Sequence, residues 1–266
     1  YLGDKDSYNL TYATLATIMK YPTDSMLGNK KDKGKIIERK FGYFDSEKDD
    51  YRKIAEEMGI VGKRHPVTFL LEAADDIAYC VADIEDGVQK KFITLNDLKD
   101  MLNQTEKKSE ELQELIEKIE EYEEKNAKIE NKSLFEKIVV QKIKIYIQGK
   151  MIQEVIKSFI KNEKTILNGD FNKELLDDGS YKDIKNGLKN LAKNKIFQSK
   201  ERVFTDILAA KVLRKLLNTF IEGMIDWLIN GEEASLTSKN IRVLISENYI
   251  INYETELKEC KNKEDE

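Results

Sequence analysis

A run of acidic side chains around one tyrosine, between Glu72 and Asp86, has the clearest chemical potential in the sequence. Five carboxylates on one helix sector would repel one another, and no lysine interrupts the run to relieve that repulsion. The pattern favours an outside cation, either a metal ion or basic side chains from elsewhere. The alternative is an ordinary solvated acidic face, which most charged stripes form. At about 100° per residue the sector contains Glu72, Asp75, Asp76, Tyr79, Asp83 and Asp86.

These residues require a helix, and the surrounding sequence predicts one. Pro66 fits a first helical turn, where its missing N–H is harmless, and Gly87 marks a weak point or an end. Cys80 is expected to be buried as a small hydrophobic residue. The apolar positions opposite the acidic sector are predicted to face the core, and they are Leu70, Ala74, Ile77, Val81, Ile84 and Val88.

Composition predicts a soluble, helix-rich protein. Of 266 residues, 36% are charged, 40% are hydrophobic and two are prolines, with no alternating strand pattern. The net charge of -5 provides no global basic field for nucleic acid, and no apolar run approaches the roughly 18 residues that span a bilayer. Two distant cysteines, Cys80 and Cys260, indicate reduced thiols and a cytoplasmic location.

Apolar spacing and capping residues predict a series of helices and no strand, so the fold class is all-α. A lysine-rich loop over 23–40 is predicted after the first helix, and Ser46 is a candidate N-cap. In the long sixth helix, the residues predicted to point inward are Ile138, Ile145, Ile152, Ile156 and Phe159, and Trp227 is predicted to anchor a later core. The predicted helices run from Asn9 or Thr11 to Lys20, from Ser46 to about 58, from 66 to about 87, from Leu95 to Leu102, within 106–131, and over 133–161, 183–193, 201–229 and 236–258.

The single histidine excludes several classes of active site within this chain. Zinc motifs need several His or Cys residues, and Ser-His or Cys-His catalysis needs a positioned imidazole. His65 directly precedes Pro66 at a helix start, where capping or solvation is commoner than catalysis. A histidine-based site cannot be assembled from this chain alone.

Four stretches, in order, resemble the bacterial dGTP triphosphohydrolase (dGTPase) branch of the HD-domain superfamily. The signature is Glu72 to Asp86, which is similar to the family's characteristic acidic helix. The resemblance implies an all-α, multi-helix HD-domain-like bundle. The other three stretches are Asn9 to Pro22, Lys40 to Phe44 followed by Ser46 and Glu47, and Ile166 to Phe171.

The resemblance implies hydrolysis of dGTP, or another dNTP, to the deoxynucleoside and inorganic triphosphate. A divalent metal, Mg²⁺ or Mn²⁺, would polarise the α-phosphate and activate water. Asp75 matches the family's later metal-ligand aspartate, Tyr79 the residue against the deoxyribose, and Asp83 the acceptor for the sugar 3′-hydroxyl. Lys20, Tyr21 and Lys40 match positions near the phosphates, where lysines are apt point charges.

The departures from the family pattern matter equally. The upstream His and His-Asp ligands and the late Gly-Met-Thr-Asp-type segment have no counterpart, so no catalytic residue is assigned and the metal is expected to bind weakly. The chain is interpreted as one all-α unit over 1–266, truncated at both ends relative to the family and inactive alone.

A different class of function stays open: a non-catalytic helical module that senses nucleotides or binds other proteins. Its sequence support is the charged segment 106–131 and the missing ligands. Homo-oligomers, and single-stranded DNA as a partner of some relatives, are implied by the resemblance alone. The sequence does not identify the preferred dNTP, the metal or any allosteric nucleotide.

Overall fold

The computed structural model describes residues 8–27, 35–104 and 109–264, and these form ten α-helices and no β-strand. The all-α prediction is confirmed. Contacts divide the chain into two compact units, of which one is Leu10–Ser199 and the other contains the segment that begins at Lys200. The prediction of one unit over 1–266 stays a prediction.

The larger unit is built around its third helix. Helix α3 packs against α1, α6 and α7, and its buried side includes Ile77, Val81 and Ile84. Each such side chain stabilises the fold by about 1.5–3 kcal/mol when fully buried. The seven helices of this unit are α1 (Tyr12–Ile18), α2 (Lys48–Glu57), α3 (Pro66–Gln89), α4 (Leu95–Asn103), α5 (Glu110–Asn126), α6 (Lys132–Asn168) and α7 (Lys182–Ala192).

Local sequence signals fix several helix ends. Pro66 occupies the first turn of α3, as predicted, and the His65 side chain accepts a hydrogen bond from the Val67 N–H, so the histidine is a cap. Thr94 and Asp97 form a reciprocal capping box at α4. Helix α6 ends at Gly169, whose φ of 80° is the left-handed conformation that favours glycine.

Several predicted boundaries are wrong. The first helix ends at Ile18, so Lys20 and Tyr21 follow it instead of forming its last turn. Ser46 lies inside a 3-10 turn, Asp45–Glu47, and Glu47 takes the N-cap position of α2. Gly87 does not end α3; it is buried, and a Cβ there would lie 2.8 Å from Ile93 Cδ1, so close packing explains the glycine.

Helix α6 buries a different face from the one predicted. Ile145, Ile152 and Ile156 are exposed, and Ile138 and Phe159 are only partly buried. Both faces of α6 carry isoleucines, so hydrophobic spacing alone does not identify the inner face. On α3, Ala74 is likewise exposed and Leu70 partly buried. The buried side of α6 is formed by Val139, Val140, Ile143, Ile147, Met151, Val155, Ser158 and Ile166.

The second unit contains α8 (Lys200–Asn230), α9 (Leu236–Leu244) and α10 (Glu247–Glu264). The single helix predicted over 236–258 is wrong, because the backbone becomes extended at Ile245. Trp227 is only partly buried and is not the predicted core anchor. Gly223 is buried against Ile241, which brings α8 and α9 close together.

Among the described residues, none of the helices has both the length and the apolar character needed to cross a membrane.

Candidate functional site

Three carboxylates on the acidic side of α3 have a basic partner from another element. Glu72 pairs with Lys20, which follows α1, and Glu85 pairs with Lys144 of α6 at 2.5 Å. Asp76 receives Lys189 at 2.8 Å and Lys185 at 3.7 Å, both from α7. Asp86 has the weaker, exposed contact with Lys90 at 3.9 Å. Of the two kinds of cation predicted, basic side chains from other elements account for three positions: Glu72, Asp76 and Glu85.

Two carboxylates of this face lack such partners. Asp75 is exposed, Asp83 is partly buried, and neither forms a hydrogen bond or ion pair with the described residues. Tyr79, midway between them, is 64% exposed. The three residues are spaced i, i+4 and i+8, so they follow one face of α3 over about 12 Å. We call Asp75, Tyr79 and Asp83 the open triad.

The electrostatic state of Asp83 follows from its surroundings. Burial raises the pKa of the Asp83 carboxyl, and the neighbouring Asp86 carboxylate raises it further. No positive group among the described residues counteracts that shift, so the fold tolerates a carboxylate that would be more stable if it were neutral or paired. Such an unrelieved cost is typical of groups kept for binding.

Cys80, on the opposite side of α3, is 2% exposed. Burial raises the pKa of its thiol to about 12, so it is a neutral packing group, as predicted.

The start of α3 is bound to α1 by buried polar contacts. The Thr68 hydroxyl, which is fully buried, donates to the Thr17 carbonyl oxygen at 2.8 Å, and His65 Nδ1 lies 3.2 Å from the Thr17 hydroxyl. These contacts fix where the chain leaves α1. Lys20 and Tyr21 are therefore placed beside the first turns of α3.

Lys20 is surrounded by charged groups from three elements. Burial lowers the pKa of its ammonium group; the Glu174 carboxylate opposes that shift, Arg64 adds to it, and Asp76 and Asp75 oppose it. This places Lys20 within electrostatic reach of the first member of the open triad. Burial raises the pKa of Tyr21, and Arg64 opposes that shift.

The Lys40 segment approaches Tyr21 through a glycine. The Gly42 N–H donates to the Thr23 carbonyl oxygen at 2.9 Å, and a Cβ on Gly42 would overlap the carbonyl oxygen of Tyr21. The close backbone approach therefore requires glycine. Lys40 itself is exposed and has no hydrogen bond or ion pair within the described residues. Of the predicted basic loop, Lys30, Lys31 and Lys33 lie outside the described residues.

Sequence reasoning did not identify three residues that shape this site. Arg64 is 3% exposed and contacts both the Lys20 backbone and the Tyr21 ring. Lys185, only 4% exposed, and Lys189 project from α7 towards Asp76. Lysines recur through α7 at both buried and exposed positions, so spacing gave no signal for these two. The sequence around Arg64 gave no signal for its role, because it shows only a charged residue that precedes His65 and Pro66.

The described residues contain no group of three His, Cys, Asp or Glu side chains that could hold a metal ion. The predicted ligand Asp75 therefore belongs to no three-ligand group in this part of the chain.

Sequence comparison identifies relatives across nearly the whole chain. A protein of Listeria monocytogenes named deoxyguanosinetriphosphate triphosphohydrolase-like is 33% identical over 252 residues, which cover 94% of this chain and 52% of the relative. The resemblance to the dGTP triphosphohydrolase family is confirmed. A dGTPase-like protein of Synechocystis is 28% identical over 82% of the chain, and a dGTPase of Enterobacter is 27% identical over 80% of it. Comparison with models of protein families finds no match.

The chain spans about half the length of the curated dGTPase relatives that it matches. The six residues assigned from the dGTPase resemblance fall into three local groups. Asp75, Tyr79 and Asp83 share one face of α3, Lys20 and Tyr21 lie together after α1, and Lys40 is two residues before the Gly42 contact with Tyr21. Their roles in binding stay predictions.

Proposed function

We propose that this chain forms part of the nucleotide-binding surface of a dNTP triphosphohydrolase. The reaction would cleave dGTP or another dNTP to the deoxynucleoside and inorganic triphosphate. Support comes from the names of the relatives and, above all, from the pattern of ion pairs on α3. The acidic face of α3 is neutralised by basic side chains except at Asp75 and Asp83.

That pairing pattern separates a binding surface from a merely solvated one. In a merely solvated acidic stripe, which carboxylates form ion pairs would depend on exposure and chance, and would bear no relation to the positions that the family resemblance assigns to a ligand. Here the unpaired carboxylates and the exposed tyrosine coincide with the three residues that the family resemblance assigns to metal and sugar. A partly buried, unpaired carboxylate such as Asp83 costs stability, and a bound hydroxyl group would offset that cost.

Tyr79 and Asp83 suit the sugar of a deoxynucleotide. A tyrosine ring offers a flat apolar face, and close contact with the sugar would leave no room for a 2′-hydroxyl group. An ionised carboxylate one turn further along is an acceptor only, so it would accept a hydrogen bond from the 3′-hydroxyl. The resulting preference is for deoxy over ribo substrates.

Lys20, Tyr21 and Lys40 would contact the phosphates. Lys20 is paired with Glu72, so a triphosphate must compete with a carboxylate for the ammonium group. Lys40 is exposed and has no competing partner within the described residues. Both are point charges that bind phosphate without strict geometry.

The residues present do not fit a complete metal centre, because Asp75 belongs to no group of three possible ligands among those described. A divalent ion, Mg²⁺ or Mn²⁺, belongs to the proposed activity of the whole protein. A homo-oligomeric state and single-stranded DNA binding are likewise proposals from the resemblance, and a cytoplasmic location is a proposal from the two distant cysteines.

The test measures binding of dGTP, GTP and inorganic triphosphate to the purified chain by calorimetry at constant ionic strength. We expect dGTP to bind more tightly than triphosphate, with the difference reduced at least about fivefold by Asp83→Asn. Glu120→Gln, which neutralises an exposed carboxylate on α5, is the matched control and should change nothing. If the folded chain binds dGTP no better than triphosphate, the open triad does not contact the sugar and the proposal is wrong.

A non-catalytic nucleotide-sensing or protein-interaction module is the second candidate. The specific observation in its favour is that the described residues hold no three-ligand metal group. Release of inorganic triphosphate from dGTP by the protein that contains this chain would exclude the non-catalytic role. Nucleotide binding without any product would support it.

A further inference from the structure

The buried side chain of Arg64 contacts Lys20 and Tyr21, two of the proposed phosphate-binding residues. Its Nε donates a hydrogen bond to the Lys20 carbonyl oxygen at 2.7 Å. Its guanidinium lies 5.6 Å from the centre of the Tyr21 ring and 5.3 Å from that of Phe69, which is on α3. One side chain thus joins both residues of the Lys20–Tyr21 pair to the acidic helix.

The Lys20–Tyr21 segment needs such support because regular structure does not hold it. Helix α1 ends at Ile18, Met19 is already extended, and Pro22 provides no N–H group for a hydrogen bond. The orientation of the two side chains must therefore be fixed from outside the segment. Arg64 contacts the Lys20 carbonyl oxygen and the Tyr21 ring, so it fixes the Tyr21 side chain and the backbone from which the Lys20 side chain extends.

Arg64 is held by a carboxylate but is incompletely satisfied. Its Nη1 lies 3.6 Å from Glu174 Oε2, while Nη1 and Nη2 are buried without a hydrogen-bond partner. Burying a guanidinium in this way is costly, and an apolar residue of similar volume would serve packing at least as well. The planar fork of arginine instead provides a fixed geometry for the carbonyl and the ring.

We propose that Arg64 is a positioning residue that holds Lys20 and Tyr21 in the orientation needed to bind the phosphates of the nucleotide. This inference rests on the proposed function. The Arg64 side chain is 1% exposed, so it acts through Lys20 and Tyr21 and does not touch the ligand itself. Glu174, the N-cap of the 3-10 turn Leu175–Asp178 that follows α6, orients the guanidinium.

The test is a double-mutant cycle on the affinity for inorganic triphosphate, with Arg64→Lys and Lys20→Ala alone and combined. Arg64→Lys preserves the charge but loses the fork, and we expect it to weaken binding by about tenfold. If Arg64 acts through Lys20 and Tyr21, Arg64→Lys weakens binding less in the Lys20→Ala background than in the wild-type chain. Independent, multiplicative losses would overturn the inference.

A second variant guards against simple unfolding. Glu174→Gln leaves Arg64 in place but weakens its orientation, and it should reduce triphosphate affinity by a smaller factor in the same cycle. Urea unfolding of each variant shows whether it is folded under the binding conditions. In the wild-type chain, the Nε–H proton of Arg64 should exchange slowly by NMR, and fast exchange in the folded protein would contradict the proposed hydrogen bond.

The outcomes separate the two proposals. If the folded wild-type chain binds neither triphosphate nor dGTP, the proposed function is wrong. If it binds triphosphate and Arg64→Lys, while folded, binds equally well, only the role of Arg64 is wrong.

Discussion

The ammonium group of Lys189 on α7 lies 2.8 Å from Asp76 Oδ1 on α3. Asp75, the preceding residue, has no such partner within the described residues. Adjacent residues on a helix point about 100° apart, so a helix that packs on one flank neutralises one carboxylate and leaves the other. Helix α7 therefore neutralises Asp76 and leaves Asp75 in the open triad.

The two α7 lysines should differ in their effect on stability. Lys185 is 4% exposed and pairs with Asp177 and Asp76, so Lys185→Met would leave carboxylates without a buried partner. We expect the free energy of unfolding to fall by about 1–3 kcal/mol. The Lys189 side chain is 44% exposed, so Lys189→Met should lower the free energy of unfolding by less than about 1 kcal/mol. Urea unfolding measures both, and equal losses would contradict a buried role for Lys185.

Gly42→Ala tests the approach of the Lys40 segment to Tyr21. An added Cβ would collide with backbone atoms of Tyr21, which cannot move as a flexible side chain can. We expect the free energy of unfolding to fall by at least about 1 kcal/mol and triphosphate affinity to fall with it. Gly149→Ala on α6 is the matched control, because its Cβ would meet nothing within 4 Å, and helix propensity should stabilise it by about 0.5–1 kcal/mol. Unchanged triphosphate affinity in Gly42→Ala would separate this contact from the phosphate site.

Tyr79→Ala should reduce discrimination between dGTP and GTP. The residue is 64% exposed, so its removal should change the melting temperature little while opening space beside the sugar. We expect the ratio of the GTP and dGTP dissociation constants to fall at least about threefold, with Tyr79→Phe keeping the ring and the ratio. Tyr249→Ala, an equally exposed tyrosine on α10, serves as the control. A ratio that is the same in all four proteins would remove Tyr79 from the sugar site.

Asp83→Asn should stabilise the chain in a pH-dependent way. Burial, and then Asp86, raise the pKa of Asp83 above its unfolded value, so its ionisation costs stability once the pH exceeds the folded pKa. The stabilisation that protonated Asp83 contributes to the folded state is complete below the pKa of the unfolded chain, and it is lost as the pH rises through the pKa of the folded chain. Asparagine is neutral throughout, so the gain in melting temperature should be largest near neutral pH and shrink towards about pH 4. A gain that grows on acidification would give the opposite sign and refute the assignment.

Metal binding and turnover by this chain alone are expected to be weak. The described residues supply one proposed ligand, Asp75, and a stable divalent site needs several. Calorimetry with Mn²⁺ should detect only weak binding, and chromatography should detect little deoxyguanosine from dGTP. Hydrolysis that persists at a substantial rate, and that survives Asp75→Ala, would show that other groups perform the chemistry.

The sequence by itself determined the helical class and the composition of the acidic face. Periodicity identified α3, and Pro66 marks its start because the effect of a proline in the first turn is confined to adjacent backbone groups. The spacing of Asp75, Tyr79 and Asp83 follows from helix geometry alone, so it too could be read directly. Their roles came from the family resemblance and not from the spacing.

Only the tertiary structure decided which carboxylates are neutralised and which face of α6 is buried. Lys20, Lys144, Lys185 and Lys189 reach α3 from segments that are distant in sequence, and no local pattern distinguishes them from the many exposed lysines. The exposed isoleucines of α6 recur at the same helical spacing as the buried ones. The sequence gives the residue type at each position but not the element that packs against it. Arg64 illustrates the same limit: its contacts with Lys20, Tyr21 and Glu174 exist only once three separate elements have packed together.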